Sequence, residues 1–147
     1  MAKILVIAEQ QGGQLKKATL AAITLARQIG QKVGGGFDLL VIGHQVGGVA
    51  DALQGYGAEA IHVADAPVFA NYLAQPFTTA IKAAAAGSGA DFVIAPATTF
   101  GKDVLPRVAA ALGAGMVADC IALADGAALA YKRPMYAGNV IATVKVS

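Results

Sequence analysis

Cysteine, tryptophan, histidine and charge are all scarce in this chain. A single cysteine, Cys120, excludes an intramolecular disulfide. With only His44 and His62 beside it, a structural zinc site lacks ligands. Charged residues make up 14% of the 147 positions and the net charge is +2. That is too little for nucleic-acid binding, which needs a clustered basic face. Lys16-Lys17 and Lys132-Arg133 are the only adjacent basic pairs. Aromatic residues reach 6% with no tryptophan, so a core must be built from Ala, Val, Ile and Leu. Long hydrophobic runs are missing too. The opening MAKILVIAEQ has an apolar run of five residues before Glu9, which suits a first strand and not a signal peptide or membrane span. A soluble protein in a reducing, cytoplasmic setting is expected, not embedded in a membrane.

What is present is apolar. The hydrophobic share is 56%, far from the composition of a disordered chain. With so little charge to cover the surface, some apolar surface is expected to meet a partner. The length suits one domain over residues 1–147.

The pattern alternates strand and helix. KILVIAE (3–9), FDLLVIG (37–43), AIHVAD (60–65) and DFVIAPA (91–97) read as strands, mostly continuous apolar runs buried on both faces. Between them, Leu15, Ala18, Ala22, Leu25 and Ile29 recur at helical spacing, with Gly30 as a stop. VGGVADALQGYGA (46–58) reads as a shorter helix. NYLAQPFTTAIKAAAAGSG (71–89) is a helical stretch with Pro76 near its front. KDVLPRVAAALG (102–113) reads as a fourth helix with Pro106 in its first turn and Thr99 as its cap. Such an order predicts an α/β fold: a three-layer sandwich with a mainly parallel sheet and right-handed crossovers. After Gly115 the rhythm changes. MVADCIAL (116–123), AALAYKRPMYA (127–137) and NVIATVKVS (139–147) are strand-like, with turn signals at Asp125-Gly126 and Gly138-Asn139, and predict a C-terminal β-hairpin. The strand pattern runs to Ser147 without a closing turn, the pattern of a domain cut from a longer chain.

No glycine motif has the strand–glycine–helix order of a dinucleotide fingerprint with its full spacing. GSGADF (87–92), GAGMVA (113–118) and Gly34–Gly36 follow helices and precede strands, as helix stops do. EQQGGQLKKA does join a strand to a helix, so Gly12 and Gly13 offer a close backbone approach, or simply a flexible loop. Thr98, Thr99, Lys102 and Asp103 follow the fourth strand, at the carboxyl edge where open α/β sheets hold ligands. Asp103 suits the positive end of a helix dipole and Lys102 opposes it. Nucleophilic chemistry has little support. Cys120 reads as inert core in an apolar strand, His62 as a strand residue with a satisfied hydrogen bond, and His44 as a cleft candidate without an acidic neighbour in sequence.

The segments APATTFGKDVLPRVAAALGAGMVADC and KRPMYAGNVIATVKV, with the opening ILVIAEQQGGQLKKAT, closely resemble the N-terminal half of electron transfer flavoprotein alpha subunits, in order and over essentially the whole chain. The resemblance implies a fold like that of adenine-nucleotide alpha-hydrolase-like and universal stress proteins. It implies a heterodimer with a beta subunit that carries electrons from flavin dehydrogenases to a quinone oxidoreductase or similar acceptor. FAD would sit mainly in a C-terminal half absent from this sequence, with none on these residues, and this part would supply assembly surface and no catalysis. Contact candidates are then Lys102, Asp103, Arg107, Arg133, Tyr136 and Asn139. The alternative is a stand-alone adenine-nucleotide module using Gly12, Gly13, Thr98 and Thr99.

Overall fold

A computed structural model describes residues 1–146. In chain order, the described residues form β1 (Ala2–Ala8), β2 (Gln10–Gln11), β3 (Gln14–Leu15), α1 (Ala18–Val33), β4 (Gly35–Gly43), α2 (Gly47–Ala52) and β5 (Ile61–Asp65). There follow a 3₁₀ turn (Pro67–Phe69), α3 (Ala74–Ser88), β6 (Phe92–Ile94), α4 (Thr99–Leu112), β7 (Ala122–Leu123), β8 (Tyr131–Met135) and β9 (Val140–Val144).

Four strands make a parallel sheet in the order β5-β4-β1-β6. Ile4–Ala8 are all buried, and successive side chains point to opposite faces. Ile4, Val6 and Ala8 pack with Ile23, Ala26 and Ile29 of α1 and with Val49 and Leu53. Leu5 and Ile7 pack with Phe77 and Ile81 of α3 and Val104 and Val108 of α4. This is the expected three-layer α/β sandwich. The C-terminal addition is a separate antiparallel sheet in the order β7-β8-β9, one short strand more than a hairpin. Lys32 of α1 anchors it by donating to the Ala124 carbonyl at 2.6 Å.

Several boundaries differ from the sequence reading, each for a local reason. Residues 10–15 form the small β2–β3 hairpin, with Gly12 and Gly13 at positive φ in its turn, so α1 starts at Ala18. Gly30 does not stop α1. It is buried inside the helix, and Gly34 in the left-handed region is the cap (φ 73). α4 begins at Thr99 because the side chain of Thr98, not Thr99, accepts the Gly101 N–H. Pro106 therefore lies in the helix interior, where the bond to the Lys102 carbonyl is lost. The stops at Gly89 and Gly113 are as expected. Residues 114–121 are not a strand, and Cys120 lies outside β7. β9 ends at Val144, and the Ser147 end of the predicted strand lies outside the described residues.

Candidate functional site

The carboxyl edge of the sheet is where the topology places a ligand site. The chain leaves β1 toward β4 on one side and reaches β6 on the other, so the order reverses between β1 and β6. Glu9 follows β1, and Thr98 follows β6. The Thr98 hydroxyl donates to Glu9 Oε2 at 2.7 Å and accepts the Gly101 N–H at 3.3 Å. The reversal point is thus bridged by the chain's own carboxylate, beside the positive end of α4. A Cβ on Gly101 would lie 1.8 Å from the Pro96 carbonyl oxygen, so α4 starts in close contact with the end of β6. A phosphate brought to the Thr98 hydroxyl would meet the Glu9 carboxylate already bonded there.

A cavity of about 260 Å³ lies beside this bridge. Ala8 and Ile42 line it, with Phe69, Tyr72, Phe77 and Phe100 on one flank and Glu9, Gly12 and Lys16 on another. The aromatic rings meet edge to face at centroid distances of 5.0–5.9 Å. Sites for drug-sized ligands run to about 300–1,000 Å³, and FAD is larger than most such ligands. These residues do not fit a flavin. Of the nucleotide candidates, Gly12 lines the cavity, while Gly13 caps the β2–β3 turn and Thr98 and Thr99 form the start of α4.

The α4 candidates are engaged within the chain. Lys102, placed against the helix dipole, pairs with Asp119 at 2.9 Å. Asp103 accepts from the Tyr72 hydroxyl and lies 3.9 Å from Arg107. Tyr72 is 37% exposed, yet partial desolvation of its hydroxyl, and secondly the Asp103 carboxylate, push the phenol up to about 12.

The other candidates lie on the antiparallel sheet. Arg133 is half-buried, and its Nε has no hydrogen-bond partner among the described residues. Tyr136 is 77% exposed, at φ 51. Asn139 is exposed and donates its backbone N–H to the Tyr136 carbonyl at 3.1 Å. The structure thus divides the six candidates between α4 and the β8–β9 hairpin.

His44 lies 3.7 Å from Asp65, whose carboxyl the Gln45 and Val46 N–H groups hold below the usual range. It does not line the cavity. Burial raises the Cys120 thiol, which disfavours the reactive thiolate. One cluster was not legible beforehand. Asp38, buried on β4, accepts from His62 at 2.8 Å and pairs with Lys3 at 3.1 Å, and Lys3 also pairs with Glu59 at 2.6 Å. The signal was a lone acid inside an apolar strand run, which demands partners. The cluster lies toward the amino ends of β1, β4 and β5, away from the carboxyl edge.

The family model described as "Electron transfer flavoprotein domain" matches residues 4–147. The chain belongs to the electron transfer flavoprotein family. It is 40% identical over 145 residues to the alpha subunit of Pseudomonas aeruginosa and 32% identical over 144 residues to that of Thermoanaerobacterium thermosaccharolyticum. It is also 36% identical over 147 residues to the mitochondrial alpha subunit of Dictyostelium discoideum. These matches cover 96–98% of the chain but 40–44% of each relative, so this electron transfer flavoprotein chain spans under half their length. No helix among its described residues is long and apolar enough to cross a membrane.

Proposed function

We propose that these residues form one α/β unit that serves as the platform of an electron transfer flavoprotein alpha subunit. It associates with a beta subunit and supplies assembly surface, while residues outside it hold FAD. The completed heterodimer shuttles electrons from flavin dehydrogenases to a quinone oxidoreductase or similar acceptor, in the cytoplasm. The platform itself catalyses nothing. One observation carries this reading. The reversal point of the sheet, which a nucleotide-binding relative of this fold would keep open for phosphate, is bridged by the Glu9–Thr98 hydrogen bond at 2.7 Å. A fixed carboxylate there repels phosphate, so the edge works as structure.

The alternative, an adenine-nucleotide module, draws on the cavity of about 260 Å³ at the same edge. A thermal-shift titration of the 147-residue chain with FAD, AMP and ATP separates the two. A ligand at 100 times its Kd adds about 2.7 kcal/mol. At about 2–4 °C per kcal/mol that is a shift of several degrees. The platform reading expects a flat midpoint with all three. A saturable AMP or ATP shift, abolished by Phe100→Ala in the cavity wall, establishes the nucleotide module. A shift with FAD alone puts flavin on this chain and overturns the platform reading.

A further inference from the structure

Two opposite charges border the carboxyl-edge cavity without neutralising each other. Glu9 and Lys16 stand opposite at the open end of the β2–β3 hairpin. The register that pairs Gln10 with Leu15 continues to them, and the Lys16 N–H donates to the Glu9 carbonyl at 2.9 Å. Side chains opposed in this way have Cβ atoms about 4.5–5.5 Å apart, close enough for an ion pair. Among the described residues they form none. Glu9 Oε2 accepts instead from the Thr98 hydroxyl at 2.7 Å. Glu9 Oε1 and the exposed Lys16 ammonium have no partner among the described residues, and both side chains line the cavity.

The rest of the lining is engaged, neutral or apolar. Gln10 donates to the Ile42 carbonyl at 3.0 Å and accepts the Gly13 N–H at 3.1 Å. The Tyr72 hydroxyl is committed to Asp103, so that residue offers the cavity its ring. Phe69, Phe77 and Phe100 add carbon on the same flank. Gln11 and Asn71 carry uncharged amides. At about 260 Å³ the cavity is smaller than the sites of about 300–1,000 Å³ that hold drug-sized ligands, so it encloses a molecule smaller than a nucleotide.

A ligand matched to this lining has a compact apolar body, a cation for Glu9 and an anion for Lys16. A simple amine meets the like charge of Lys16, and a simple acid that of Glu9. A zwitterion satisfies both. We propose that the cavity binds a free α-amino acid with an apolar side chain. Its ammonium donates to Glu9 Oε1, its carboxylate accepts from Lys16, and its side chain lies against the aromatic flank. The Thr98 bond holds Glu9 in position, and the carboxylate that repels phosphate at this edge attracts ammonium. This site goes beyond the platform role and needs no beta subunit.

NMR titration of the isotope-labelled 147-residue chain tests it. Leucine is compared with isopentylamine, which lacks its carboxylate, and with isocaproate, which lacks its ammonium. Saturable shifts of the Gly12, Asn71 and Phe100 amides are expected with leucine, at a Kd of about 0.1–1 mM for charges that stay near water. Each truncated probe should bind at least about 5-fold more weakly. Lys16→Gln should weaken leucine about 5-fold and leave isopentylamine no weaker. Glu9→Gln, whose amide oxygen still accepts from Thr98, should weaken leucine as much and leave isocaproate no weaker. Lys82→Gln, exposed on α3 and outside the lining, is the control and should change nothing.

No saturable shift with leucine up to about 10 mM, ten times the weakest Kd expected, overturns the proposal. Isopentylamine or isocaproate binding the parent as tightly as leucine also overturns it, because one charge is then a bystander. So does Lys16→Gln weakening leucine and isopentylamine alike. The probe comparison on the parent decides the matter even if Glu9→Gln fails to fold. Saturable AMP binding without leucine binding makes this edge a nucleotide site and overturns the proposal and the platform reading together. Leucine binding without AMP binding supports the proposal and leaves the platform reading standing.

Discussion

Two helical glycines give opposite predictions for the same substitution. Replacing glycine by alanine inside a helix normally stabilises by about 0.5–1 kcal/mol. At Gly87, near the end of α3, a Cβ would meet no other described part of the chain within 4 Å beyond the helix's own neighbouring backbone. Gly87→Ala should therefore raise Tm by about 1–4 °C at about 2–4 °C per kcal/mol. Gly101 is in the first turn of α4 and is buried, and its added Cβ would stand 1.8 Å from the Pro96 carbonyl oxygen and 3.6 Å from Ala95 Cβ. Backbone cannot yield there as a flexible side chain would. The helix start has to retreat by more than about 1 Å, at the usual overpacking cost of about 1–3 kcal/mol. That outweighs the gain in propensity. It also pulls the Gly101 N–H away from Thr98 and strains the bond to Glu9. The net expectation for Gly101→Ala is a loss of about 1–2 kcal/mol, or a Tm lower by about 2–8 °C. Differential scanning calorimetry of both variants is the assay. If Gly101→Ala raises Tm as much as Gly87→Ala does, the tight junction between β6 and α4 is wrong, and with it the account of the bridged reversal point.

The remaining predictions concern titration. Burial alone would raise the Asp38 carboxyl, but the hydrogen bonds from His62 and Lys3 outweigh it and hold it below its ordinary value. A carboxyl depressed in the folded state contributes stability above its unfolded value of about 4, and that contribution is lost as pH falls through the folded value. Asp38→Asn should therefore lower Tm at neutral pH and flatten the decline of Tm below about pH 4; an unchanged acid limb in the variant argues against the cluster. Ultraviolet titration should find one tyrosine ionising near 12, and Asp103→Asn should bring it down only part of the way toward 10, since burial is the larger cause. A full return to 10 would mean that contact with Phe77 and Phe100 does not desolvate the Tyr72 hydroxyl.

The parallel sheet was legible because each strand carries its own signal. Ile4–Ala8 and Leu39–Ile42 are apolar on both faces, and only a sheet covered by helices on both sides buries such a run. The end of α1 was misread because Gly30 looks like a stop. It is small because a Cβ there would approach the Gly35 carbonyl oxygen at 2.5 Å, a long-range contact that no local pattern displays. The β2–β3 hairpin was missed because two-residue strands have no periodicity to detect. The cap of α4 was placed one residue late because Thr98 and Thr99 are locally equivalent. Only Glu9, 89 positions away, distinguishes them.

The same distinction decides how the site is read. From sequence, Thr98, Thr99 and Lys102 resemble groups waiting for an anion. In the fold, two of the three already have one, Glu9 for Thr98 and Asp119 for Lys102. An anion site needs donors that the folded chain leaves unsatisfied, because an incoming phosphate must otherwise displace an intramolecular carboxylate held nearby at high effective concentration. The antiparallel sheet shows the reverse. Its strands are short, yet its β8–β9 hairpin exposes Met135, Tyr136, Val140 and Ile141, while the parallel sheet hides its apolar side chains apart from Val63. A chain with 56% hydrophobic residues could have covered its surface more evenly. Confining much of the exposed apolar area to one appended element leaves a fold whose core is complete and whose remaining hydrophobic driving force is available for association.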